Sequence, residues 1–161
     1  MQTRKVSVEK PKIVVMCGSS RFVDIMAVCA WIIEREEKAI SMGLHLLPEW
    51  YCNNNIPDHL AEHEGVAEQM DNLHLRKIDI SDEIFVINCN DYIGDSTKRE
   101  IEYAKSLNKK IRWFTHDYIG EKVKEIINGY LRTAECKKRM VKKLKTQKTL
   151  QICNHQLLTV L

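Results

Sequence analysis

No apolar run in the sequence approaches the roughly 18 to 20 residues that a membrane-spanning helix needs, and the N-terminal stretch "MQTRKVSVEKPK" is polar. Insertion and secretion are therefore both unsupported, and a cytoplasmic protein with no membrane partner is expected. A C-x-x-C pair is also missing. The six cysteines, at 17, 29, 52, 89, 136 and 153, are scattered, and several lie in apolar runs such as "VVMCG" and "VINCN", where a reduced thiol behaves as a small hydrophobe. Neither disulfides nor a cysteine-bound zinc is expected, and no cofactor. G-x-G-x-x-G, a P-loop and internal repeats are absent too, which removes the commonest dinucleotide and triphosphate cradles.

What is present suits one globular domain: 161 residues, 44% of them hydrophobic, are enough for a full core and leave little room for a second. The net charge of +3 is unevenly spread. Residues 132–148, "RTAECKKRMVKKLKTQK", hold eight Lys/Arg against one Glu, so the remainder carries about −4. We therefore expect a domain over 1–131 and a basic extension over 132–161. The extension reads as a solvated helix with one packed edge, or as a contact for nucleic acid or an acidic partner.

Along the chain, "KIVVMCGSS" (12–20) reads as a strand buried on both faces. Helical spacing follows from Phe22 to about Met42, with Gly43 as the stop. "LHLLPEW" (44–50) reads as a short second strand, and "YCNNNIPDHL" as a loop leading into a helix near Pro57 or Asp58. A helical pattern runs to about Ile80, "DEIFVIN" (82–88) supplies a third strand, and "KKIRWFTHD" (109–117) a fourth. A terminal helix is expected over roughly 121–145. Alternating strands and helices predict a doubly wound α/β domain, with a parallel sheet covered on both faces and ligands beyond the carboxyl ends of its strands.

Two turns fall on that edge. In "CGSSRF", Cys17, Gly18 and Ser19 form a small-residue turn whose backbone can approach a ligand, and Arg21 can fork a phosphate; the plainer reading has Ser20 capping a helix. In "YIGDSTKREIEYA", Thr97-Lys98-Arg99-Glu100 fits a capping box. Equally, a glutamate in the first helical turn is held ionised by the macrodipole and free N–H groups. Gly94 and Ser96 precede it, Asn88 and Asp91 stand where the third strand exits, and Trp50 and Tyr51 offer aromatic faces. "HLAEH" (59–63) fits H-x-x-E-H, but Glu62, Glu64 and Glu68 beside it read as a solvated helix face, so no metal is expected there.

With "CGSSR", "HLRKIDISDEIFVIN", "YIGDSTKREIEYA" and "NKKIRWF" in this order, residues 12–115 resemble the nucleoside 2-deoxyribosyltransferases and the related deoxynucleoside-5′-monophosphate N-glycosidases. More distantly, "CGSS" is similar to the phosphoribohydrolases that release cytokinin bases. "REIEYA" matches the helix bearing the family's nucleophilic glutamate, which the resemblance assigns to Glu100. It implies a flavodoxin-like fold, a nucleoside or nucleotide substrate, a retaining reaction at the anomeric carbon, and a homo-oligomer whose subunits complete one another's sites. The family's proton-donating Asp, eight residues before the third strand's Asp, falls on His74, which can donate near neutral pH. Asp79 and Asp82 are nearby alternatives, reading otherwise as a helix-end charge and a strand-start cap. A pocket that binds nucleotides without turnover is the alternative function on the same fold.

Overall fold

The computed structural model describes residues 10–48, 51 and 60–132. Its elements are β1 (Ile13–Gly18), α1 (Val23–Ile32), β2 (Ile40–Met42), α2 (Leu60–His63), α3 (Ala67–Ile80), β3 (Glu83–Ile87), α4 (Asp95–Ser106), β4 (Lys110–Trp113) and α5 (Tyr118–Arg132). The four strands form one all-parallel sheet in the order β2-β1-β3-β4. It is a doubly wound α/β domain, and the order reverses between β1 and β3, the place where such sheets open a crevice at their carboxyl ends.

Strand alternation sorts the side chains into two cores. Val14, Met16, Phe85 and Ile87 pack on one face with Met26, Cys29 and Ile32 of α1 and with Ile119 and Val123 of α5. Val15, Cys17, Ile84 and Val86 point to the other, against Ile78 of α3 and Ile101 and Ala104 of α4. Apart from Glu83 at the start of β3, both inner strands are therefore apolar, as a sheet covered on two sides requires. Among the described residues Cys17, Cys29 and Cys89 are buried and form no disulfide, and no helix is long and apolar enough to cross a membrane.

The second strand lies elsewhere than expected. α1 ends at Ile32, one π turn follows over Ile33–Glu37, and Lys38 terminates it in the left-handed region at φ 53°. Residues 40–42, inside the expected helix, then pair with β1, Ile13 opposite Ile40, while 44–48 form no strand. Three paired residues are too short a run to show alternation. The fourth strand likewise stops at Trp113, and a 3₁₀ turn occupies Phe114–His116. Most of the expected loop before α2 and the basic extension beyond Arg132 lie outside the described residues.

Gly120 makes that last turn possible. A Cβ there would stand 1.8 Å from the Phe114 carbonyl oxygen, so backbone must move to admit one. Gly120→Ala is expected to cost about 1–3 kcal/mol, visible as a lowered midpoint in thermal denaturation.

Candidate functional site

Parallel topology brings the site residues to one edge. α4 leaves the carboxyl end of β3, so its first two turns stand above that edge; α3 runs back toward the start of β3, so its N-terminal half stands there too. Between them is a cavity of about 410 Å³, lined by Ser96, Arg99 and Glu100 from α4 and by Glu68, Asp71, Asn72 and Leu75 from α3. A more open depression of about 700 Å³ continues along α3 from Gly65 to Arg76.

Glu100 belongs to the buried stripe Thr97, Glu100, Ile101 and Ala104 of α4. The capping box does not form. The cap is the backbone of Gly94, with no side-chain hydrogen bond, and the helix begins at Asp95. Glu100 is thus the sixth helical residue, past the free N–H groups, and only 8% exposed. Burial pushes its pKa up to about 7; the Cys17 thiol pulls it down, the Asp71 charge adds to the rise, and Arg99 opposes it. The expectation of a carboxylate held ionised by the helix start is therefore reversed in sign: burial dominates.

Behind Glu100 lie His74 and Cys17. His74 Nε2 stands 3.8 Å from Glu100 Oε1 and 3.7 Å from Cys17 Sγ, joining α3, α4 and the end of β1. Burial, with help from the Lys77 charge and against the Met16 carbonyl, lowers the His74 pKa to about 4. The ring is neutral at pH 7, so its contact with Glu100 is no ion pair, and it lacks the imidazolium proton expected of a donor. Burial, then the Glu100 charge, raises the Cys17 thiol well above its ordinary value. Glu100 Oε2 and His74 Nδ1 are buried without hydrogen-bond partners.

The other expected residues divide. Ser96 lines the cavity and accepts from Arg99 Nη2 at 3.2 Å. Gly18 answers a packing need, since a Cβ would meet Met26 Cε at 2.7 Å and Ile87 Cβ at 3.0 Å. Ser19, rather than Ser20, caps the turn at Ser20–Phe22 through Arg21 N–H, and the Arg21 guanidinium lies 5.2 Å above the Tyr92 ring. Asn88 is spent on structure: its amide donates to Thr115 Oγ1 at 2.8 Å and accepts from Thr115 N–H at 3.2 Å. Asp91 is exposed at φ 58°, and Gly94 has open space around it beyond Tyr92. Asp79 accepts from Tyr103 Oη at 2.6 Å, Asp82 accepts from Ile13 N–H at 2.7 Å, and Tyr51 is exposed. Of the H-x-x-E-H stretch, His63 ends the one-turn α2; His59, like Trp50, lies outside the described residues.

Asp71 and Arg99 are the residues that counting along the chain missed. Arg99 Nη2 donates to Asp71 Oδ2 at 2.6 Å, bridging the two helices across the cavity. Glu68, Asp71 and Leu75 recur at i, i+3 and i+7, a helical face whose signal was available in the sequence. Comparison of the chain with family models, with curated proteins and with solved structures finds no match.

Proposed function

We propose that the protein cleaves or transfers at the N-glycosidic bond of a nucleoside, (deoxy)ribo, or its 5′-monophosphate, with Glu100 as nucleophile. The observation that carries this reading is Glu100, a largely buried carboxyl group that lines a cavity at the carboxyl edge of a parallel sheet and whose enclosed Oε2 makes no hydrogen bond. In the proposed reaction an ionised Glu100 oxygen attacks C1′ as the bond to the base breaks, and the base leaves with a proton. Water or a second base then displaces Glu100 from the glycosyl-enzyme. With His74 neutral and Asp71 ion-paired to Arg99, the leaving base takes its proton from solvent water, and His74 is left to orient Glu100. Asp71 lines the same cavity and its charge is felt at Glu100.

The lining also bears on substrate choice. Among the described residues it carries three carboxyl groups, Glu68, Asp71 and Glu100, against the single guanidinium of Arg99, itself engaged by Asp71. An added 5′-phosphate would meet net negative charge, so nucleosides are expected to react with a lower KM than their monophosphates. Incubation with a panel of both, with chromatography for free base, tests the reading; no base from any member, or equal release by Glu100→Gln, would overturn it. Free sugar or a new nucleoside as product separates hydrolase from transferase. One observation favours a second reading, binding without turnover: the neutral His74 where a donor was expected. Tight calorimetric binding with no base release would select it.

A further inference from the structure

Cys17, His74 and Glu100 form a close, buried cluster of donors suited to a metal. Cys17 Sγ, His74 Nε2 and a Glu100 oxygen all lie within 4.8 Å of one another, and all three residues are buried. The carboxyl-to-imidazole separation of 3.8 Å is too long for a hydrogen bond. Glu100 Oε2, on a residue only 8% exposed, makes no hydrogen bond, an arrangement that normally costs stability unless something fills it. Three elements distant in sequence, the end of β1, mid-α3 and the second turn of α4, deliver these donors to one point.

Their spacing fits a small tetrahedral ion. With Zn–S near about 2.3 Å and Zn–N or Zn–O at about 2.0–2.2 Å, adjacent donors stand roughly 3.3–3.6 Å apart. The observed 3.7 Å and 3.8 Å require a closure of a few tenths of an ångström, and the third separation, Cys17 to Glu100, lies within 4.8 Å. A thiolate beside an imidazole selects a soft or borderline cation over magnesium or calcium. Three protein donors leave a fourth position for a water or another small ligand, and of the three residues Glu100 is the one that lines the cavity.

We propose that Cys17, His74 and Glu100 form a binding site for one zinc-class divalent cation, and that the ion, by engaging Glu100, switches the glycosyl-transfer site off. Binding exchanges the Cys17 thiol proton, and the Glu100 carboxyl proton where one is held, both released to solvent, for sulfur–metal and oxygen–metal bonds; no oxidant or reductant is involved. The nucleophile is then a metal ligand, its negative charge is shared with the cation, and its attack on C1′ is weakened. The switching half of this inference rests on the glycosyl-transfer reading, and the binding half does not.

The test uses full-length protein stripped with chelator, then titrated with Zn²⁺ and with Co²⁺ as a spectroscopic probe. Folding of each variant is checked by circular dichroism and thermal unfolding. One ion per chain is expected, with a thiolate-to-cobalt charge-transfer band that disappears in both Cys17→Ser and Cys17→Ala. Zinc affinity should fall by at least about 100-fold in Cys17→Ser and in His74→Gln. Absence of binding, or a stoichiometry and spectrum unchanged by these substitutions, overturns the site and assigns any ion to other residues such as His63. Base release by stripped protein that stops on zinc saturation supports the switch, and base release indifferent to bound zinc overturns it. Should the stripped protein release no base while the ion binds as described, the glycosyl-transfer reading fails, the metal site stands, and the switching half falls with that reading.

Discussion

Glu100→Gln is expected to abolish base release, by about 10³-fold or more, while leaving a protein more stable than the wild type at alkaline pH. Both outcomes come from one cause. The Glu100 pKa stands at about 7 in the fold against an ordinary 4.5, chiefly through burial, so the fold favours the protonated carboxyl. Its contribution is fully present below pH 4.5 and is lost as pH rises through 7, a loss of about 3 kcal/mol by pH 8. Gln keeps the shape and removes the titration, so urea unfolding at pH 5 and pH 8 should show the variant gaining on the wild type between them. Catalysis needs the opposite state. In chelated buffer, kcat/KM of the wild type should rise with pH through a midpoint near 7, because only the ionised carboxyl attacks C1′. A buried nucleophile that costs the fold stability where it is most reactive is a familiar form of the stability–activity exchange. Parallel pH–stability curves for the two proteins would remove burial as the source of the shift, and undiminished base release would remove Glu100 as the nucleophile.

The inner sheet was legible because β1 and β3, "IVVMCG" and "EIFVI", are apolar on both faces apart from Glu83 and nothing else in the chain competes for that role. β2 was not, because "EREEK" continues a helical composition to a stop made by Lys38 in the left-handed region, a conformation no lysine signals. The same kind of error, smaller in residues and larger in consequence, affected the site. Thr97 to Glu100 has the spacing of a capping box, but the helix starts at Asp95. That difference carries Glu100 from a free helix end into a buried stripe, and it changes the direction of its pKa shift. The face of α4 bearing Glu100 could be read from helical spacing. The meeting of Glu100 with Cys17 and His74 could not, since it depends on how α3 and α4 pack across β1. Nor could the count that arrived at His74 reveal Asp71, one turn earlier on α3, facing the cavity.

Arg112→Met is expected to be the most destabilising of the polar substitutions, by about 3–5 kcal/mol at pH 7. The guanidinium is buried and uses all five of its donors. Nε and Nη2 donate to Asp117 at 2.9 and 3.0 Å, Nη1 and Nη2 to Glu37 at 2.9 and 2.8 Å, and Nη1 to Glu83 at 2.9 Å. It also lies over the Phe85 ring at 5.1 Å. Three carboxylates from the end of the α1 segment, β3 and the approach to α5 converge on this one cation. Lys12, 3.0 Å from Glu83 and 3.6 Å from Glu37, and Lys110, 3.5 Å from Glu83, supply only peripheral compensation. A methionine of similar volume would fill the space and leave Glu83 and Glu37 charged and largely desolvated. Burial alone would raise both carboxyls, but hydrogen bonds from Arg112, with Tyr118 at Glu37 and Lys12 at Glu83, outweigh it and hold both below the ordinary value. Their contribution is therefore present above pH 4.5 and is lost as pH falls through the depressed folded values. The penalty of Arg112→Met should accordingly be largest near neutrality and shrink in acid, where the orphaned carboxyls can take up protons. Denaturant titrations of both proteins from pH 7 down to pH 3 would measure it. A penalty that stays constant across that range would mean that the cost arises from packing against Phe85 and not from charge. Arg112→Lys separates these further: it restores a positive charge but not the planar fork, so it should recover only part of the loss.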